Sequence, residues 1–131
     1  MGGQPQPIPP VRVLLVDDEP MFLEALRALL ETDSRVDVVA SADNGPDAIA
    51  LAQSKRADVA LVDLALPGTN GFETTRRLIA EAAPIKVVVI SGLSDGSEAS
   101  AARDAGASRF LLKGGLHEEI ADAIVEAHLA A

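Results

Sequence analysis

An alternation repeated along the whole chain constrains its fold more than any other feature. A short apolar run gives way to a cluster of turn residues, and then to a stretch with apolar side chains at three- and four-residue spacing. The runs are Val11 to Val16, Val36 to Ala40, the run from Asp58 that reaches Asp63, Ile85 to Ile90, and Arg109 to Leu112. Each is too brief for a helix and reads as a strand, the one that reaches Asp63 as a strand buried on both faces. Between them Pro20 opens a helix carrying Phe22, Leu23, Leu26, Leu29 and Leu30 on one stripe. Asp43 or Asn44 caps a second, opened by Pro46 and holding Ala48, Ile49, Leu51 and Ala52. Phe72 to Ala82 forms a third, with Phe72, Leu78 and Ile79 inward and Pro84 closing it. Ser97 to Ala105 is a short fourth helix stopped by Gly106, with little to bury. Leu116, Ile120, Ala123, Ile124 and Ala127 mark a last helix.

Short connections between strand-helix units require parallel strands joined by right-handed crossovers, hence an α/β three-layer sandwich. The order 2-1-3-4-5, a flavodoxin-like doubly wound five-stranded parallel sheet, sets strands 1 and 3 side by side at the switch point where ligands bind. At 131 residues the chain has room for one folded domain. Residues 1–10, rich in Pro and Gly, read as a flexible N-terminal arm, and 11–131 as the domain.

Composition narrows the partners. With 11 Lys plus Arg against 20 Asp plus Glu, the net charge of -9 disfavours direct nucleic-acid binding. Three Phe and no Trp or Tyr leave little for base stacking. No Cys is present for disulfides or thiolate metal sites. No secretion signal is recognisable, and no apolar run approaches the roughly 20 residues of a membrane helix, so the expected compartment is the cytoplasm.

The strand ends carry the chemistry. Asp17 and Asp18 follow strand 1, Asp63 ends strand 3, Ser91 follows strand 4 and Lys113 follows strand 5, all on one rim. Taken singly, each has an ordinary structural explanation: a favourable acid at a helix start, a turn residue, a solvated charge. Together they are less easily put down to chance. Clustered carboxylates need a counter-charge, which a hard divalent ion such as Mg²⁺ and the Lys113 ammonium can supply. Such a cleft suits a phosphoryl group, with Ser91 donating to it and Asp63 as the nucleophile that forms an acyl phosphate.

The segments Leu-Leu-Val-Asp-Asp-Glu-Pro, Val-Asp-Leu-Ala-Leu-Pro-Gly-Thr-Asn-Gly, Val-Val-Val-Ile-Ser-Gly and Gly-Ala-Ser-Arg-Phe-Leu-Leu-Lys resemble the receiver domain of two-component response regulators over residues 11 to about 129. The resemblance implies that Asp63 accepts phosphate from a sensor histidine kinase. It also implies that Asp18 and Asp63 bind Mg²⁺ directly with the Ala65 carbonyl, while Asp17 assists through water. Ser91 and Lys113 contact the phosphoryl group. Ser91 and Phe110 form the switch that changes the face of helix 4, strand 5 and helix 5. The resemblance is nearest the subclass with a C-terminal helix-turn-helix, so a DNA-binding effector domain beyond this chain, and a homodimer on phosphorylation, are expected. Gly114 stands where many receivers have Pro, so the loop after Lys113 is expected to be looser. The chain reads either as a receiver cut from a longer regulator or as a stand-alone one, with the end at Ala131 leaning slightly toward the former.

Ala65 and Leu93, each two residues past a site residue, are expected to flank the water that hydrolyses the acyl phosphate. Neither can hydrogen-bond it, so a long-lived phosphoryl state is expected. Three other readings compete: a Mg²⁺-dependent aspartyl phosphatase, a flavin binder, and a receiver-like docking or dimerisation module with an idle site. The first wants an Asp-x-Asp after strand 1, where this chain has Asp17-Asp18-Glu19; the second wants Ser, Thr and Gly there, because acids repel a phosphate.

Overall fold

The computed structural model describes residues 9–66, 70–92, 96–115 and 119–130. Most of the expected arm, the Pro67-Gly68 turn, Leu93 and Leu116 lie outside the described residues. The elements are β1 (Val11–Val16), α1 (Pro20–Glu31), β2 (Val36–Ala42), α2 (Gly45–Ser54), β3 (Val59–Asp63), α3 (Gly71–Glu81), β4 (Lys86–Ser91), α4 (Gly96–Asp104), β5 (Arg109–Leu112), a 3₁₀ turn (Lys113–Gly115) and α5 (Glu119–Leu129). The five strands are parallel, as the short connections required, and lie in the expected order β2-β1-β3-β4-β5.

Alternation along each strand divides the apolar residues between two cores. Val13, Leu15, Val59, Leu61, Val88 and Ile90 join Leu26 and Leu30 of α1 and Ile120 and Ile124 of α5 on one face. Leu14, Val16, Ala60, Val62, Val87 and Val89 join Ala48 and Ile49 of α2, Leu78 of α3 and Ala102 of α4 on the other. All five residues of β3 are buried, so the strand bearing Asp63 has no free face.

Two helices differ in detail from the periodicity. Leu29, read into the apolar stripe of α1, is 37% exposed; it falls at the stripe's margin, where Leu26 and Leu30 already fill the contact with the sheet. On α3, Thr74 and Thr75 are fully buried, which apolar spacing could not show. The Thr75 hydroxyl donates to the Gly71 carbonyl at 2.7 Å and is thereby satisfied within its own helix. The caps follow local chemistry: Asn44 accepts from the Asp47 amide and Asn70 from the Glu73 amide, each three residues on. Of the two candidate caps for α2, Asn44 is the one used.

Gly71 pins the start of α3 against the end of β3. A Cβ built there would meet Leu64 Cα at 2.6 Å and the Asp63 carbonyl oxygen at 2.7 Å, both backbone atoms that cannot turn aside. Its amide donates to the Leu64 carbonyl at 3.2 Å. Gly71→Ala should therefore lower stability by about 2 kcal/mol or more through overpacking, read as a fall in the urea midpoint. An unchanged midpoint would contradict the close approach.

Candidate functional site

The register of the sheet builds the site. Val16 lies beside Val62 and Ala42, Asp63 beside Ile90, and Ser91 beside Leu112, so the strands end nearly level. Two further ladder bonds run past the strand ends, from the Asp17 amide to the Ala42 carbonyl and from the Leu64 amide to the Ile90 carbonyl. These fix the backbone from which the functional side chains leave. Asp17, Asp63 and Lys113 each follow by two a residue packed toward α1 and α5, namely Leu15, Leu61 and Leu111. Ser91 follows Val89, on the other face. The pleat thus gathers three of the expected residues and sets Ser91 apart from them.

The Lys113 ammonium is the centre of the cluster. It lies 3.0 Å from Asp17 Oδ2, 2.8 Å from Glu19 Oε1 and 3.1 Å from Asp63 Oδ2. It also sits 4.3 Å from the centroid of the Phe22 ring, a cation–π contact from the first turn of α1. Burial alone would lower its pKa, but its close contacts with the Glu19, Asp17 and Asp63 carboxylates outweigh that and raise it. The side chain therefore stays cationic at neutral pH.

Asp17 and Asp63 are 1% and 2% exposed, whereas Asp18 faces solvent. Asp17 Oδ1 accepts from the Glu19 amide at 2.8 Å. Its Oδ2 faces the ammonium as an ion pair but has no aligned hydrogen-bond donor. Burial raises the Asp17 pKa; the Glu19 amide and Lys113 oppose this and the Asp63 charge adds to it. Asp63 Oδ1 accepts from the Ala65 amide at 3.1 Å, turning the carboxylate so that Oδ2 meets Lys113.

Asp17, Asp18 and Asp63 each offer an oxygen, and these atoms lie within 4.8 Å of one another. A hard cation suits this set: the donors are all carboxylate oxygens, one ligand is solvent-accessible, and Asp17 Oδ2 is a buried oxygen short of a donor. Beside them a cavity of about 450 Å³ is lined by Glu19, Asp63, Ala65, Ser91, Glu98 and Lys113.

Ser91 is 3% exposed, and its hydroxyl donates to Glu98 Oε1 of α4 at 3.2 Å. Phe110 is half-buried at the edge of the α2–α3–α4 core, beside Ala102 and Arg103 in a groove between α4 and β5. After Lys113 the chain forms a 3₁₀ turn. Sequence reasoning missed Glu19, Phe22 and Glu98 as partners in the site. Glu19 directly follows the Asp pair, a signal that could have been used; nothing local marks Glu98.

The family model of the response regulator receiver domain matches residues 13–125. The transcriptional regulatory protein LiaR of Bacillus subtilis is 36% identical over 114 residues, covering 87% of this chain and 54% of its own. The response regulator UvrY of Escherichia coli is 32% identical, covering 87% and 52%. The chain thus spans about half the length of these relatives. Among solved structures, the NarL signal receiver domain from Mycobacterium tuberculosis is 32% identical with a TM-score of 0.87, over 93% of this chain and 98% of that one. A LuxR-family two-component response regulator from Aurantimonas is 28% identical with a TM-score of 0.80, over 89% and 86%. Relatives described as transcriptional regulators and LuxR-family proteins agree with the resemblance to the transcription-regulating subclass.

Lys113→Met tests the electrostatics directly. Without the ammonium the neighbouring carboxylates raise one another's pKa, and a carboxyl so raised favours the fold below its unfolded pKa and loses that contribution as pH rises through the folded value. The loss in urea stability should therefore be larger at about pH 7.5, on the order of 2–3 kcal/mol, than at about pH 5. Equal losses at the two pH values would contradict the cluster.

Proposed function

The chain belongs to the response regulator receiver domain family, and from that premise we propose that it is a phosphoacceptor whose Asp63 takes a phosphoryl group from a sensor histidine kinase. The observation that carries the proposal is the buried Asp63 carboxylate held 3.1 Å from the Lys113 ammonium, inside a set of three acids able to share a cation. Asp18 and Asp63, with the Ala65 carbonyl, would hold Mg²⁺, and Asp17 would act on it through water. When bound, the ion neutralises charge on the transferring group.

The residues of the chain divide the remaining work. An Asp63 carboxylate oxygen attacks phosphorus as the bond to the histidine nitrogen breaks, leaving an acyl phosphate and an imidazole that takes its proton from solvent. The Ala65 amide orients the carboxylate through Oδ1. Lys113, kept cationic by its carboxylate partners, draws negative charge from the phosphoryl oxygens. Ser91 donates to one of those oxygens. Phe110 and the face of α4, β5 and α5 carry the change outward, to a C-terminal DNA-binding domain or to a second copy of the protein. The protein works in the cytoplasm; among the described residues no helix is long and apolar enough to cross a membrane.

Two outcomes are expected. Acetyl phosphate with Mg²⁺ should add one phosphoryl group per chain, mapped to Asp63 by mass spectrometry, and both Asp63→Asn and chelation should abolish it. Labelling that survives Asp63→Asn would overturn the assignment. Ala65 is exposed at the cavity edge, with no side-chain polar group to direct water. The acyl phosphate should accordingly be long-lived, and Ala65→Asn should change its decay rate by about tenfold if an added amide interacts with the hydrolytic water by ~1.4 kcal/mol. An unchanged rate would remove Ala65 from the water path.

A further inference from the structure

Glu98 has no part in the phosphoacceptor chemistry above, yet it holds the hydroxyl that chemistry needs. We infer that Glu98 is a positioning residue: it keeps Ser91, and with it the first turn of α4, in the unphosphorylated arrangement, and phosphorylation of Asp63 expels it. The inference rests on the phosphoacceptor reading and deepens it.

The contact is local to the site. Ser91 Oγ donates to Glu98 Oε1 at 3.2 Å, and both residues line the cavity that also holds Asp63 and Lys113. Glu98 is the third residue of α4, so the bond ties the end of β4 to the helix start. Among the described residues of the helix only Ala102 is fully buried. The tie to Ser91 is then one of the contacts that fix its first turn.

Phosphorylation removes this tie twice over. A serine hydroxyl carries one proton, so donation to a phosphoryl oxygen ends donation to Glu98. A phosphoryl group also brings about two negative charges into the cavity, and like charges in a partly dry space repel. Both effects drive the Glu98 carboxylate outward and release the start of α4. The ordinary alternative is that Glu98 only complements the positive end of the α4 dipole. In that case its removal would act on the helix whether or not Ser91 is present.

Hydrogen exchange of the α4 amides in the full chain separates these roles, using wild type, Glu98→Ala, Ser91→Ala and the double variant without a phosphoryl donor. Glu98→Ala should speed exchange about fivefold, the effect of losing one hydrogen bond, and should add nothing in the Ser91→Ala background. Glu98→Gln, whose amide oxygen still accepts from Ser91, should retain part of the protection. Wild-type exchange in Glu98→Ala, or an equal acceleration with and without Ser91, overturns the inference. Labelling by acetyl phosphate, measured alongside, should be faster in Glu98→Ala. No label on wild-type Asp63 defeats the phosphoacceptor reading, whereas a labelled wild type with unchanged α4 exchange in Glu98→Ala defeats this one alone.

Discussion

One ammonium holds the rim of this domain together. Lys113 meets Asp17, Glu19 and Asp63 within about 3 Å and lies over the Phe22 ring. The carboxylates come from the ends of β1 and β3, and the lysine from beyond β5, so a single side chain ties the middle of the sheet to its edge. Without it, two buried acids would face each other in a cleft with Asp18 at the opening. Charges buried this way cost several kcal/mol each when unpaired.

The pleat explains how work is divided around that cation. Asp17, Asp63 and Lys113 continue the face packed by α1 and α5, and their convergence follows from strand register and alternation. Ser91 continues the opposite face, where α4 lies, and there it meets Glu98. On the proposed reading, acceptance of a phosphoryl group and movement of a helix would fall on two faces of one sheet, and the cavity at the rim, lined by Asp63, Ser91, Glu98 and Lys113, is where they would meet.

Much of this was legible in the sequence because the apolar runs set the strand ends, and the site residues stand at those ends. The gathering of Asp17, Asp18 and Asp63 with Lys113 needed, beyond that, a parallel sheet in the doubly wound order with level register. Partner choice was not legible. Glu19 and Phe22 reach Lys113 through the angle at which α1 leaves β1, and Glu98 reaches Ser91 through where the start of α4 is placed; neither is written in apolar spacing. Thr74 and Thr75 look like surface residues until their helix is packed, and Leu29 looks buried until its neighbours fill the sheet contact.

The central claim is that Asp17, Asp18 and Asp63 behave as one electrostatic unit around a shared cation. Carbon-detected NMR of the aspartate carboxyl groups, titrated with pH and then with Mg²⁺, tests it most directly. The account predicts that Asp17 titrates above the usual carboxylate range in the metal-free protein, and that Mg²⁺ shifts the carboxyl resonances of all three residues along one binding curve. An ordinary Asp17 titration, or three carboxyl groups that respond to Mg²⁺ independently or not at all, would contradict it.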